Sequence, residues 1–354
     1  MKFLRLFVLA VLAHAAVAQD EVEVTAVEPV KPTYDSVRSL YIKSFPDHFF
    51  IWPVLKQRRL DFEMNSLVDK GTSLEYKSNK PYSIGIGLYL FELGVELAGA
   101  IPLDEQSKKI YGESDASDLQ LNIIGKKWGI EGYIQKYKGF YVVDPNVEIP
   151  DGTPYPQRAD IETRQIGSTV NYTFNNKKFS FRSVYNFADR QLRSAGSILL
   201  FGSISGFKAR GDSAIIDPAY ASDFGEAARV KSIRSTALAV APGYTYSIIY
   251  KGFFLNATLA IGPSHNWLLY ETDDGRSKND IKFDFFVAGR IGVGYNGDRF
   301  FGGLGFINQG RSAKFDNVEM VSSSGTFKIM IGYRFEEFGI LKKRVWDIPK
   351  ELFK

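Results

Sequence analysis

The 354-residue chain carries 44 Lys and Arg against 40 Asp and Glu, with three His and no Cys. The missing thiols exclude disulfides, thiolate metal sites, cysteine catalysis and a Cys-linked lipid anchor. The near balance of charge lacks the basic stripe that nucleic acid demands, and the 32 Gly, 28 Phe and 19 Tyr suit an all-β chain better than a helical enzyme.

In chain order, Lys2 and Arg5 precede an apolar run from Leu6 to Ala13, and Ala16-Val17-Ala18 supplies small residues for cleavage. This reads as a secretory signal peptide over residues 1–18, cut after Ala18. Removing it takes His14 with it and leaves His48 and His265, too few for a multi-histidine metal centre. Residues 19–56 read as an extended periplasmic lead-in with Pro29 and Pro32.

From residue 57 to 338, period-two alternation recurs. Leu60, Phe62 and Met64 alternate with Arg59, Asp61 and Glu63; Leu93, Val95 and Leu97 with Gly94, Glu96 and Ala98; Leu119, Leu121 and Ile123 with Asp118, Gln120 and Asn122. Phe179 and Phe181 alternate with Ser180 and Arg182, and Leu238 to Ile248 with small residues from Ala237 to Ser247. In "GRIGVGYNGDRFFGGLGF" (289–306), Ile291, Val293 and Tyr295 share one face and Arg290, Gly292 and Gly294 the other, and Asn296-Gly297 predicts a type I′ hairpin. Short turns near 91–92, 125–127, 175–177, 250–252 and 296–297 separate longer polar stretches near 102–117, 142–160, 209–233, 271–280 and 312–319.

Short turns on one side and long loops on the other predict a transmembrane antiparallel β-barrel. Threading gives about twelve strands, with 72–90 one strand interrupted at Pro81 and 178–208 one long strand; ten and fourteen are the bounds those mergers leave. A soluble β-sandwich alternates in the same way, but three features favour the barrel. Aromatics (Trp128, Tyr172, Phe174, Tyr244, Tyr250, Tyr295) gather toward strand ends as interface girdles do. Charges sit mid-strand on the opposite face: Arg59, Asp61, Glu63, Glu96, Glu131, Arg182, Asp284 and Arg290, all assigned to the lumen. The last strand, with Phe327, Ile329, Ile331, Gly332, Tyr333 and Phe335, is similar to an outer-membrane assembly signal, here followed by a tail over 339–354 that carries Lys342, Lys343, Arg344 and Trp346.

Three stretches carry a family resemblance: "NKPYSIGIGLYL" (79–90), "LQLNIIGKKWGIEGYIQKYKGFYV" (119–142) and "RQLRSAGSILLFG" (190–202). They resemble the domain-of-unknown-function family 4421, an uncharacterised Bacteroides-type group of outer-membrane barrels, over about residues 40–345. The resemblance implies the fold and an outer-membrane location, and it brings no catalytic residues.

Ser194, Ser197 and His265 offer a Ser/His hydrolase of membrane lipid, an arrangement that some barrel enzymes hold on the outer wall. The plainer reading makes Ser194 to Ser197 a kink in a long strand and His265 an interface residue. The lumenal charges are expected to pair across the interior rather than form a binding track. Loop 209–233, with Asp212, Asp217, Asp223 and Glu226, is expected to be a solvated acidic loop, against cation binding or a cover for the mouth. The sequence therefore predicts a non-enzymatic outer-membrane barrel without cofactor, a small-solute conduit or a structural or surface protein. Its expected partners are membrane lipid, lipopolysaccharide and the barrel assembly machinery.

Overall fold

The computed structural model describes residues 33–69, 71–90 and 93–336. The expected signal peptide and the basic tail lie outside the described residues. The chain opens with helix α1 (Tyr34–Tyr41) and the short strand β1 (Ile42–Ser44), so the lead-in is not extended there. The wall begins at His48, earlier than the expected residue 57. Its strands are β2 (His48–Ser66), β3 (Ser73–Lys77), β4 (Ser83–Leu90), β5 (Leu93–Ala100), β6 (Asp115–Ile124), β7 (Trp128–Val143) and β8 (Gln157–Thr173). After an inserted segment that holds β9 (Asp189–Gln191), the wall resumes with β10 (Ala195–Arg210), β11 (Val230–Tyr250), β12 (Phe253–Thr272), β13 (Ser277–Asn296), β14 (Phe300–Phe315) and β15 (Val318–Glu336).

Successive strands from β10 to β15 pair antiparallel, and β15 returns to β2 from Val318↔Ser66 to Glu336↔His48. That last ladder closes the sheet and rules out a sandwich. The other junction runs β2–β3–β7–β8–β10, which completes a closed ring of ten strands. β4 and β5 continue the wall from β2, and β6 from β7, but no ladder joins β5 to β6 among the described residues. The twelve expected strands therefore do not form one closed ring. β3 and β4 pair with the same strand on either side of the break that contains Pro81 (Phe62↔Tyr76, then Lys56↔Ser83), as the sequence suggested.

Both ends of the wall chain lie at one end of the barrel, called here the turn end; the opposite end carries the connections 101–114, 144–156 and 211–229 and is called the loop end. Two expected loops are strand instead. β12 and β13 are joined by 273–276, and β14 and β15 by Asp316-Asn317, where Asp316 takes φ 42°. Asn296-Gly297 is not a type I′ turn either: three residues, 297–299, connect β13 to β14, and the positive φ values fall on Lys251 (48°) and Gly252 (88°) between β11 and β12.

Outward positions through the middle of the wall are exposed and apolar, among them Ile86, Leu119, Ile198, Val240, Phe285 and Ile331. Rings flank them at the turn end, where Trp128 meets Tyr172 at 4.7 Å and Phe49 stacks on Phe335 at 5.0 Å. Ile291, Val293, Tyr295, Phe300, Leu304 and Phe306 belong to this outward face, as the hairpin pattern implied.

Candidate functional site

The interior is filled by side chains and by a stopper from residues 174–194. The expected strand over 178–208 begins only at Ala195; before it the chain turns inward, forms helix α2 at Arg182–Tyr185 and adds β9, which pairs with β1. Phe179 and Phe181, read as strand residues, are buried beside Phe201 and Phe286. Val184 and Phe187 pack with Phe50, Trp52, Phe254 and Phe301 from the wall. Gly292 makes this seating possible, because a Cβ there would lie 2.6 Å from Val184 Cγ1. Gly292, on the bare face of β13, thus seats the stopper helix.

Two buried polar hubs hold the stopper. The Asp189 carboxylate accepts from Arg38 (2.8 Å), Ser44 (2.7 Å) and Ser180 (2.6 Å), which ties α1 and β1 to the stopper. Arg334 on β15 donates to the carbonyls of Gly297 (2.6 Å) and Phe187 (2.6 Å) and to Asn296 Oδ1 (2.8 Å). Its guanidinium lies 4.1 Å from the Phe45 ring centre and 4.7 Å from that of Phe301, a cation held in an aromatic cage. Asn296, which the hairpin signature places in a turn, donates to the carbonyls of Ser183 (2.8 Å) and Asp189 (3.0 Å). At the surface of the turn end, Asp298 accepts from Lys43 (2.8 Å) and Arg190 (2.9 Å); the Lys43 hydrogen bond, helped by Arg190, holds its carboxyl below the usual carboxylate range.

A polar layer crosses mid-barrel. Glu131 accepts from Gln120 (2.6 Å), Gln309 (3.3 Å) and Arg290 (3.4 Å), and Arg311 reaches Ser203 at 2.7 Å. Toward the loop end lies an apolar layer in which Ile215, Ile216, Phe224 and Ala227, from the segment 211–229, pack on Leu60, Phe62, Met64 and Tyr76. The segment expected to be a solvated acidic loop therefore covers the mouth with its apolar residues, while Asp217 and Glu226 point to water. Within it, burial and the Asp144 carboxylate 2.9 Å away push the Tyr220 hydroxyl up to about 12.

The seam between β5 and β6 backs onto two ion clusters. Glu96 accepts from Trp52 Nε1 (3.0 Å) and pairs with Lys56 (3.4 Å) and Lys328. Asp118 pairs with Lys80 and Arg58 (3.6 Å) and accepts from the Tyr137 hydroxyl (2.6 Å). The Tyr137-Lys138-Gly139-Phe140-Tyr141 motif breaks the β7 register at Gly139 (φ 88°), where a Cβ would strike the Glu113 carbonyl.

Of the eight charges assigned to the lumen, Glu96, Glu131, Asp284 and Arg290 lie on inward strand positions, and Arg182 lies inside on the stopper helix, where it reaches the Tyr89 hydroxyl at 3.1 Å. Arg59, Asp61 and Glu63 point outward, contrary to the expectation, and Leu60, Phe62 and Met64 point inward. The outward apolar run of β2 ends near Leu55; beyond it the strand stands in a polar zone while its inner face meets the apolar cap. In the last strand Phe327, Ile329, Ile331, Tyr333 and Phe335 face outward, and Gly332 faces inward beneath the Phe301 ring.

The hydrolase residues are not brought together. Ser197 is buried on the inner face, accepting from Asn175 N (2.8 Å), and Ser194 accepts from Ile249 N (2.9 Å). His265 faces outward, its ring 4.2 Å from that of Trp267 and 4.6 Å from that of Phe283. The register line through Ser197 passes Thr245 to Thr258, so His265 stands seven residues, roughly 24 Å, further along β12. Among the described residues no group of three His, Cys, Asp or Glu is placed to hold a metal ion.

The model of a domain of unknown function, DUF4421, matches residues 33–335. The chain belongs to that family. No curated protein matches it. Among solved structures it is similar to Ail, the attachment invasion locus protein of Yersinia pestis, at 16% identity over 59% of this chain and 97% of that one, with a TM-score of 0.23. It is also similar to OmpT of Vibrio cholerae (10% identity, 81% and 97% covered, TM-score 0.28) and to the TodX monoaromatic hydrocarbon channel in a deletion variant (8% identity, 82% and 91% covered, TM-score 0.26).

Proposed function

We propose that this protein is a non-enzymatic β-barrel of a bacterial outer membrane, sealed along its axis, that serves as a structural or surface protein rather than as an open conduit. The observation that carries the reading is the filled interior. The stopper, the polar layer around Glu131 and the apolar cap follow one another from the turn end to the loop end. The outward apolar belt supports a lipid surrounding, since a spanning sheet must satisfy its backbone internally and present apolar side chains to hydrocarbon. In this orientation the turn end faces the periplasm and the loop end the cell exterior, consistent with a leader over residues 1–18. The separation of Ser197 from His265 leaves the hydrolase reading without its geometry.

The experiment is a planar-bilayer recording of the refolded protein beside gel migration of protein from an outer-membrane fraction. A heat-modifiable band with silent bilayers is expected. Discrete conductance steps from the wild type would overturn the axial seal, and a soluble periplasmic protein would overturn the membrane reading.

A second reading, a conduit entered from the side, draws on the edges of β5 and β6 that no strand pairs among the described residues. In hydrocarbon each unpaired backbone group costs several kcal/mol, so an edge there asks for water or a partner. Rapid amide exchange confined to 93–100 and 115–124 would favour this reading; full protection would sink it.

A further inference from the structure

Four outward basic side chains fall on one register line across four adjacent strands. Lys136 on β7 is opposite Arg164 on β8, Arg164 is opposite Lys208 on β10, and Lys208 is opposite Arg234 on β11. At the usual strand spacing the row spans about 14 Å. One step toward the turn end, Ile134 and Ile166 belong to the exposed apolar belt. One step toward the loop end, Lys138 and Arg210 add two further cations, with Glu162 between them.

The charges are not balanced locally. Glu162 is engaged by Lys136 at 3.4 Å, and Asp160 by Arg158 at 2.8 Å. Three further acids flank the row, Asp212 at the start of the capping segment, Asp115 opposite Lys138 on β6, and Glu271 on β12 one step from the partner of Arg234, and the cations still outnumber them. Asp160, Glu162 and Asp212 line a cavity of about 280 Å³ together with Lys138, Arg164, Lys208 and Arg210. The opposite sector at the loop end is different: there the outward Lys314 pairs with Glu319 on the neighbouring strand. A one-sided row of cations at the upper margin of an apolar belt has the chemistry to meet phosphate groups carried on acyl chains.

We propose that this face binds the phosphorylated glycolipid headgroup of the outer leaflet, with Lys136, Arg164, Lys208 and Arg234 on the phosphates and Ile134 and Ile166 against the acyl chains. The site rests on the outer-membrane reading above, in which the loop end faces outward. The side chains involved are at the surface, so charge-neutral variants leave the core untouched.

The test is native mass spectrometry of the detergent-extracted full chain titrated with purified bisphosphorylated lipid A and, separately, with phosphatidylethanolamine. Wild type is compared with the triple variant R164Q/K208Q/R234Q and with a control at the balanced sector, K314Q. Lipid A is expected to bind the wild type and the control alike and the triple variant about a hundredfold more weakly, from three lost cation contacts. Equal binding by the triple variant would overturn the site, as would equal preference for phosphatidylethanolamine. Gel migration of the wild type from the outer-membrane fraction reports separately on the location, so loss of the site and loss of the membrane reading give different results.

Discussion

Replacing Arg334 with Leu should unseat the stopper. The side chain is 1% exposed, and its guanidinium donates to two carbonyls at 2.6 Å and to Asn296 Oδ1 at 2.8 Å while lying against three aromatic rings. A hydrogen bond to a charged group contributes roughly 1.5–3 kcal/mol, and each buried acceptor left without a donor costs about 1–3 kcal/mol. A desolvated cation on a ring face adds about 2 kcal/mol. These contributions share one group and do not add fully, so the net loss is about 3–6 kcal/mol. Because two of the acceptors, Phe187 O and Asn296 Oδ1, belong to the stopper and to the residue that holds it, the loss should fall on residues 174–194 more than on the wall. The assay is urea unfolding followed by heat-modifiable migration, together with bilayer recording. A lowered midpoint and intermittent conductance are expected. An unchanged midpoint with silent bilayers would refute the assignment of Arg334 as the hub, and Arg59→Ala, at an exposed outward position, should leave both unchanged.

Glu96→Gln removes the carboxylate that lies between Lys56 and Lys328, so two half-buried ammonium groups face each other; a loss of about 1–3 kcal/mol and faster amide exchange in β4 and β5 are expected, whereas unchanged exchange would show that the cluster does not hold the seam. Gly139→Ala forces a Cβ onto a left-handed residue against the Glu113 carbonyl, and about 1–3 kcal/mol should be lost, read as a lower urea midpoint; no change would mean that the bulge is not fixed there. Asp298 is held below its usual range in the folded chain, so its contribution is present above about pH 4 and fades as pH falls through the lower folded value. The side chain is half exposed, so the effect is small. Urea midpoints of wild type and Asp298→Asn should therefore differ near neutrality and converge in acid; a difference that grew with acidity would reverse the sign of the argument.

Much of the wall was legible in the sequence, because a pleated strand alternates its side chains and the belt must be apolar. That Ile291, Val293 and Tyr295 share one face, that Phe327 to Phe335 share another strand's face, and that a strand breaks around Pro81 is legible in that pattern alone. The interior was less so. Phe179 and Phe181 alternate as strand residues do, yet they enter the core beside a four-residue helix, too short to leave a helical period in the sequence. Asn296-Gly297 carries a hairpin signature, but tertiary hydrogen bonds to Ser183, Asp189 and Arg334 use Asn296 for another task. The basic row is not legible in the sequence, because Lys136, Arg164, Lys208 and Arg234 lie on four separate stretches of chain and meet only through strand register.

By itself, then, the sequence determined that the chain is all-β, where most of its strands run, and that each has one apolar and one polar face. Only the tertiary structure decided which face is inside at a given height. Alternation is symmetric under exchange of the two faces, so Leu60, Phe62 and Met64 against Arg59, Asp61 and Glu63 fit either assignment. The choice follows from what fills the barrel: at mid-height a polar layer inside sets the apolar residues outward, and at the loop end an apolar cap, folded in from residues far along the chain, draws them inward.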